Sequence, residues 1–193
     1  MTAIYVITKV LTFPGALTKA LFEQIMCRIF KCPVEDNRYL RTDEMCGHVE
    51  HELINRPVAS FMFCFIPGLL NFMLAMNLCL FPLINIVLLG NYKGFVSATS
   101  LSSIFTEEAM AVTVDFILPL FFAWLCISLL SNLFPIVEDA VVMKEQYKKL
   151  NKALKVLFFP GYIVMKIGSR LEKFGLTFIL LVAITVALAI LPV

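Results

Sequence analysis

The polar side chains with the chemistry to bind a metal or move a proton are few and lie in four short stretches. Lys19 and Glu23 stand four residues apart, so on a helix they share one face and can pair. The two histidines, His48 and His51, sit among acids in Glu44-Met45-Cys46-Gly47-His48-Val49-Glu50-His51-Glu52. Asn132 and Asp139 bracket a proline-containing stretch from Ser131 to Ala140. Asn71, Asn77 and Asn85 are the amides of a long apolar run. A carboxylate-rich metal set of Glu23, His48, His51 and Asp139 is conceivable, with zinc as the metal, if the histidine loop folds over the helices. The alternative for Lys19, Glu23 and Asp139 is a polar network that ties helices together at membrane depth, where a charge is costly and usually partnered.

The six cysteines contain no CxxC pair and no zinc spacing, and three of them fall inside apolar runs, which reads as reduced packing cysteine. Cys27, Cys32 and Cys46 match no metal pattern. A Gly-rich phosphate loop, a Ser-His-Asp set, a kinase motif and a nucleic-acid module are all missing from the 193 residues.

The elements that must position these residues are apolar. The chain is 60% hydrophobic and 16% charged, with mean hydropathy +0.89, whereas soluble domains carry about 25% charged residues. Three stretches hold no charge: Pro57 to Tyr92, Phe116 to Val137 and Phe174 to Val193. A helix needs about 20 apolar residues to cross the hydrocarbon core. The first of these stretches would be about 54 Å long as one helix, so it must tilt, break or double back, with Pro67-Gly68 and Pro82 as break points. Residues 1–30 read as a helix broken at Phe13-Pro14-Gly15, with no cleavable targeting segment. Residues 31–56 read as a polar loop in which strand or coil is favoured over helix. Residues 109–137 form a further span, and 174–193 the last.

Residues 138–173 are the most basic part, with eight Lys or Arg against four acids, and read as an interfacial amphipathic helix followed by one that dips into or lies along the membrane. Lys144, Lys148, Lys149, Lys152 and Lys155 are placed to contact anionic headgroups. If Pro57 to Tyr92 crosses once, residues 28–56 and 138–173 share a side and hold 5 + 8 = 13 of the 16 basic residues. The positive-inside rule makes that side cytoplasmic and puts both termini outside. The fold expected is an all-α, polytopic membrane helix bundle of about four transmembrane segments with Pro/Gly-broken helices. It would sit in a bacterial inner membrane. Asn71 and Asn85 fall roughly 40° apart on a continuous helix and are candidates for a shared helix–helix contact, whereas Asn77 points elsewhere. The matching Pro-Gly steps at Leu11 to Gly15 and Leu157 to Gly161 are too short to establish a repeat.

Three of these stretches together resemble the membrane-embedded metalloproteases of the site-2 protease type. Phe13-Pro14-Gly15 and the helix to Phe30 look like the family helix that reads Phe-Pro-Gly, three residues, then HExxH. Gly47 to Glu52, followed by Ile66-Pro67-Gly68 and Asn71, resembles a Gly-Tyr-Val-x-His segment and the Pro and Asn of the next helix. Asn132 to Asp139 is similar to the family's Asn-x-x-Pro segment ending in an aspartate ligand. The departure is sharp, because Lys19, Ala20 and Glu23 stand where the resemblance puts His, Glu and the second His of HExxH. In that motif two neutral imidazoles hold the metal and the glutamate is the general base. Lysine repels a divalent cation and alanine accepts no proton, so the family's site is absent. Nor does His51-Glu52-Leu53-Ile54-Asn55 restore the motif, since it lacks the second histidine.

The expected function is therefore a non-catalytic integral membrane subunit, an anchor, sensor or scaffold for cytoplasmic partners such as those of a bacterial defence or stress system. Lipids and either a second copy or a cytoplasmic protein are its expected partners, with no nucleic acid and no cofactor. Two alternatives stand beside it: an intramembrane zinc metalloprotease with an unorthodox site, and a small oligomeric channel or transporter.

Overall fold

The computed structural model describes residues 3–39, 47–80 and 118–190. The chain divides into two compact units, Met1–Phe72 with Ile127–Val193, and Met73–Cys126. The first unit holds Lys19, Glu23, His48, His51, Asn71, Asn132 and Asp139.

Helix α1 (Ala3–Leu11) and helix α2 (Phe13–Phe30) meet at a bend of 89°. The bend has a local cause: Pro14 lies in the first turn of α2, where its missing N–H costs nothing and its fixed φ starts a new helix. Thr12 at the corner turns its hydroxyl back to the Thr8 carbonyl (2.7 Å). Helix α2 ends at Lys31, which adopts left-handed φ 54°, while the Cys32 N–H closes on the Cys27 carbonyl at 2.8 Å. Strands β1 (Val34–Arg38) and β2 (His48–His51) then form an antiparallel pair with a bulge between Val34 and Asp36. Gly47, at φ +77°, admits β2 close to α2, since a Cβ there would lie 2.7 Å from that of Ala16.

Helix α3 (Pro57–Leu74) continues as π-helical turns over Ala75–Leu80. Helix α4 (Leu118–Ser131), α5 (Val137–Lys148), α6 (Lys152–Lys173) and α7 (Leu176–Ile190) complete the described chain. One apolar cluster joins Ala20, Met26 and Cys27 of α2 to Val49 of β2 and Ala59 and Phe63 of α3. A second joins Phe61 and Cys64 of α3 to Met143 of α5 and Met165 of α6. In the second unit, Asn77 donates to the Met73 carbonyl (2.7 Å), and Phe121 packs against Phe122 and Trp124.

The fold is mostly helical, with two corrections to the sequence expectation. The class is not purely α, because part of the polar stretch 31–56 pairs as the β1–β2 hairpin. Among the described residues one helix, Pro57–Asn77 with mean hydropathy 1.9, is long and apolar enough to cross a membrane. A second is added if the bent α1–α2 pair counts as one broken span, giving one or two rather than four. The apolar parts of α4 and α7, Phe121–Ser131 and Leu176–Thr185, are shorter. Pro82, Asn85, Asp115, the 93–108 loop and the question of whether 57–92 doubles back lie outside the described residues.

Candidate functional site

The bend delivers Lys9, at the end of α1, into the interior, where it is 3% exposed. Its ammonium donates to Asn132 Oδ1 (2.5 Å) and to Glu172 Oε1 in the last turn of α6. Lys19, 1% exposed on α2, donates to the Phe134 carbonyl and lies 3.5 Å from Glu172 Oε1 and 3.9 Å from Glu23 Oε1. The second Glu172 oxygen accepts the Phe134 N–H at 3.1 Å. Both Glu23 oxygens are 3.2 Å from His48 Nδ1, and one also accepts the Val49 N–H at 3.3 Å. A chain of buried charge thus runs Lys9, Glu172, Lys19, Glu23, His48. Burial holds His48 below the usual imidazole range, Lys19 and Lys9 add to that effect, and Glu23 opposes it. A neutral His48 donates from Nδ1 to Glu23, and its Nε2 has no hydrogen-bond partner among the described residues. Two lysines then balance two glutamates.

A layer of neutral polar groups surrounds this chain. The Gly15 N–H donates to Ser128 Oγ (2.8 Å), whose hydroxyl donates to the Thr12 carbonyl (2.9 Å). Asn132 Nδ2 donates to Thr12 Oγ1 (3.0 Å) and to the Ser128 carbonyl (2.8 Å). These contacts satisfy the Gly15 N–H at the α1–α2 bend and give the Thr12 carbonyl, which already accepts the Ala16 N–H, further donors, as suits an apolar environment. They also need Gly15, because a Cβ there would overlap the Ser128 carbonyl. Asn71 of α3 donates to the carbonyls of Gly15 (2.9 Å) and Asn132 (3.2 Å) and accepts from the Thr18 hydroxyl (2.8 Å). Asn71 therefore bridges helices, while Asn85, its expected partner in that role, lies outside the described residues.

Two candidate groupings come apart. Asp139 does not join Lys19 and Glu23: it lies in the first turn of α5, with its Oδ1 3.5 Å from His51 Nε2. The set of Glu23, His48, His51 and Asp139 splits into two pairs, Glu23 with His48 and His51 with Asp139. The reason is the strand: residues three apart on β2 face opposite sides. Among the described residues no three His, Cys, Asp or Glu side chains stand together so as to hold a metal ion.

The His51 pair is a separate small site. His51 Nδ1 meets the Glu52 carbonyl at 2.7 Å, and the ring stands edge-on to Phe63 with centroids 4.3 Å apart. Burial pulls the imidazole pKa down, but the Asp139 carboxylate and the Glu52 carbonyl outweigh it and leave it raised. A cavity of about 120 Å³ beside the pair is also lined by Ser60, Cys64 and Glu138. Cys32 Sγ lies 3.8 Å from His51 Nδ1 but donates to the Glu52 carbonyl (3.1 Å). Burial and the neighbouring charges of Glu52, Asp139 and Glu35 push its thiol pKa up, so Cys32 is no poised nucleophile.

The expected headgroup lysines divide between α5 (Lys144, Lys148), the turn (Lys149) and the start of α6 (Lys152, Lys155). Lys148 pairs with Glu145 at 2.9 Å. Sequence reasoning missed Lys9 and Glu172 as site residues. Each carried a signal: Lys9 is the one charge in the apolar helix Ala3–Leu11, and Glu172 is the one acid in the otherwise basic helix α6.

Chemically, the arrangement is closed. Both carboxylates are neutralised by ammonium groups and hold backbone N–H groups, so neither is free to act as a base. The network cross-links α1, α2, β2, the α4–α5 connection and α6. No family model, curated protein or solved structure matches the chain, and the site itself carries the functional reading.

Proposed function

We propose that this chain is a non-catalytic, multi-span membrane subunit in which a buried lysine serves as the fixed positive centre of the helix bundle. One observation carries the reading: the Lys19 ammonium is held between Glu23 and Glu172 in the interior. By the resemblance to site-2-type proteases, this is where the first metal ligand would stand. A protein cation needs no cofactor and supports no hydrolysis. Its role there is to set helix positions.

Embedding in lipid is supported by the outward-facing apolar side chains, Ile4, Ile7 and Val10 on α1, Ile25 and Ile29 on α2, and Leu69 and Phe72 on α3, all exposed. Such surface is unfavourable in water and neutral in hydrocarbon. The apolar segments of α4 and α7 would supply the further spans, in a bacterial-type inner membrane with residues 28–56 and 138–173 on the cytoplasmic side by the positive-inside rule. The β1–β2 hairpin and α5 would then offer a cytoplasmic platform to a protein partner or a second copy.

Metal analysis of protein purified in detergent, with and without added zinc, tests the reading. Zinc well below one per chain is expected. Stoichiometric zinc that disappears in Glu23→Ala refutes it.

A further inference from the structure

We propose that α6 lies along the membrane surface and carries a binding face for anionic phospholipid, built from a bare apolar stripe with a basic row along one edge. The proposal rests on the membrane reading above and adds the ligand class, the face and the residues.

Helix α6 has two unlike sides. Its inner side is occupied: Phe158 stacks on Phe61 (4.4 Å), Tyr162 stacks on Tyr147 (4.2 Å), and Gly168 lies against the Phe134 ring. Met165, Ser169 and Glu172 on the same side are buried. The outer side is bare among the described residues: Val156 is 77% exposed and Leu157 68%, and Phe159, Val164 and Ile167 are each more than half exposed. At about 100° per residue these five and Ile163 span an arc of about 160°, opposite Met165 and Glu172. An apolar surface of this size needs an occupant.

The charges say which one. Lys152, Lys155, Lys166, Arg170 and Lys173 all fall within an arc of about 60° along one edge of the apolar stripe. The opposite edge, at Leu157, Gly161 and Val164, has no charge. The one acid of the helix, Glu172, points inward to Lys9. None of these five basic groups has a carboxylate partner among the described residues, and Lys166 instead lies over the Tyr162 ring (5.8 Å).

The apolar stripe from Val156 to Ile167 is about 18 Å long, well short of a bilayer core of about 30 Å. Basic residues flank both ends. Only a helix in the plane of the interface keeps both ends at headgroup level while its stripe meets acyl chains. A phosphodiester above a hydrocarbon chain matches the basic row and the stripe together. The same outward apolar exposure recurs on α1, α2 and α7, at Ile7, Ile29 and Leu180, which one continuous lipid phase covers and a single docked protein does not.

The test uses the full chain with its one tryptophan removed (Trp124→Phe) and a reporter introduced by Leu157→Trp, or by Ile7→Trp as control. Each is reconstituted in vesicles of phosphatidylcholine and phosphatidylglycerol in which one lipid at a time carries bromine on its acyl chains. Reporter 157 should be quenched, more by brominated phosphatidylglycerol than by brominated phosphatidylcholine at equal mole fraction. Lys155→Gln and Lys166→Gln should each reduce that preference, by up to about fivefold per charge. Quenching at 7 but not at 157 overturns the proposal and leaves the membrane reading standing, whereas quenching at neither position removes both. Equal quenching by the two lipids, unchanged in the glutamine variants, refutes the anionic preference. Protection of reporter 157 that is lost on dilution with lipid shows that a second copy covers the stripe, and also refutes the proposal.

Discussion

Replacing Lys19 by methionine keeps most of the side-chain volume and removes the charge, leaving Glu23 and Glu172 to share Lys9 alone. At an effective dielectric of 20, unit charges 3.5 Å and 3.9 Å apart attract by about 4.7 and 4.3 kcal/mol. Much of that gain offsets the cost of dehydrating the ammonium, so the net loss expected for Lys19→Met is about 3–5 kcal/mol, typical of a buried pair stripped of one partner. Reversible unfolding in mixed micelles, titrated with a denaturing detergent and followed by circular dichroism, measures it. The double variant Lys19→Met with Glu23→Gln restores neutrality, with Lys9 against Glu172, and should be less destabilised than the two single losses summed, by about 1–3 kcal/mol. A loss below about 1 kcal/mol for Lys19→Met, or strict additivity in the double variant, would refute the view that these four charges act as one balanced set.

Other perturbations follow from the same geometry. Gly15→Ala pushes a methyl into the Ser128 carbonyl, where backbone rather than a flexible side chain must yield, and should cost about 1–3 kcal/mol in the same assay. Asn71→Ala removes the buried amide that joins the Gly15 and Asn132 carbonyls to the Thr18 hydroxyl, a loss of about 1–3 kcal/mol. The His51–Asp139 contact should be pH-dependent. Because the folded imidazole pKa is raised, its stabilisation is fully present below the unfolded value of about 6.5 and is lost as pH rises through the folded value. His51→Gln should flatten the stability profile over that window, and a proton NMR titration of the ring should show the upward shift directly.

What the sequence made legible was local. The break at Phe13-Pro14-Gly15 and the Lys19–Glu23 pairing both depend on neighbours within a turn, and both are present in the structure. The strand and helix preferences of 31–56 favoured strand or loop, but Val34–Arg38 carries no apolar alternation, so its pairing with His48–His51 goes with packing on α2 rather than with pattern. Partners far apart in sequence stayed hidden. Nothing in the order of residues links Lys9 to Glu172 or Gly15 to Ser128. Placing Asp139 near Glu23 failed because the start of α5 at Val137 turns that carboxylate to the opposite side of the hairpin, toward His51.

The bend between α1 and α2 has a consequence for how the protein is made. Its Gly15 N–H is met by Ser128, 113 residues later, and the Lys9 charge by Glu172, 163 residues later. At ribosomal speeds of about 5–20 residues per second, Lys9 waits roughly 8–33 s for its carboxylate. For that interval the first two helices hold two ammonium groups against a single glutamate. On the proposed membrane reading, a holding step in a translocon or an insertase would shelter the amino-terminal corner until α6 arrives.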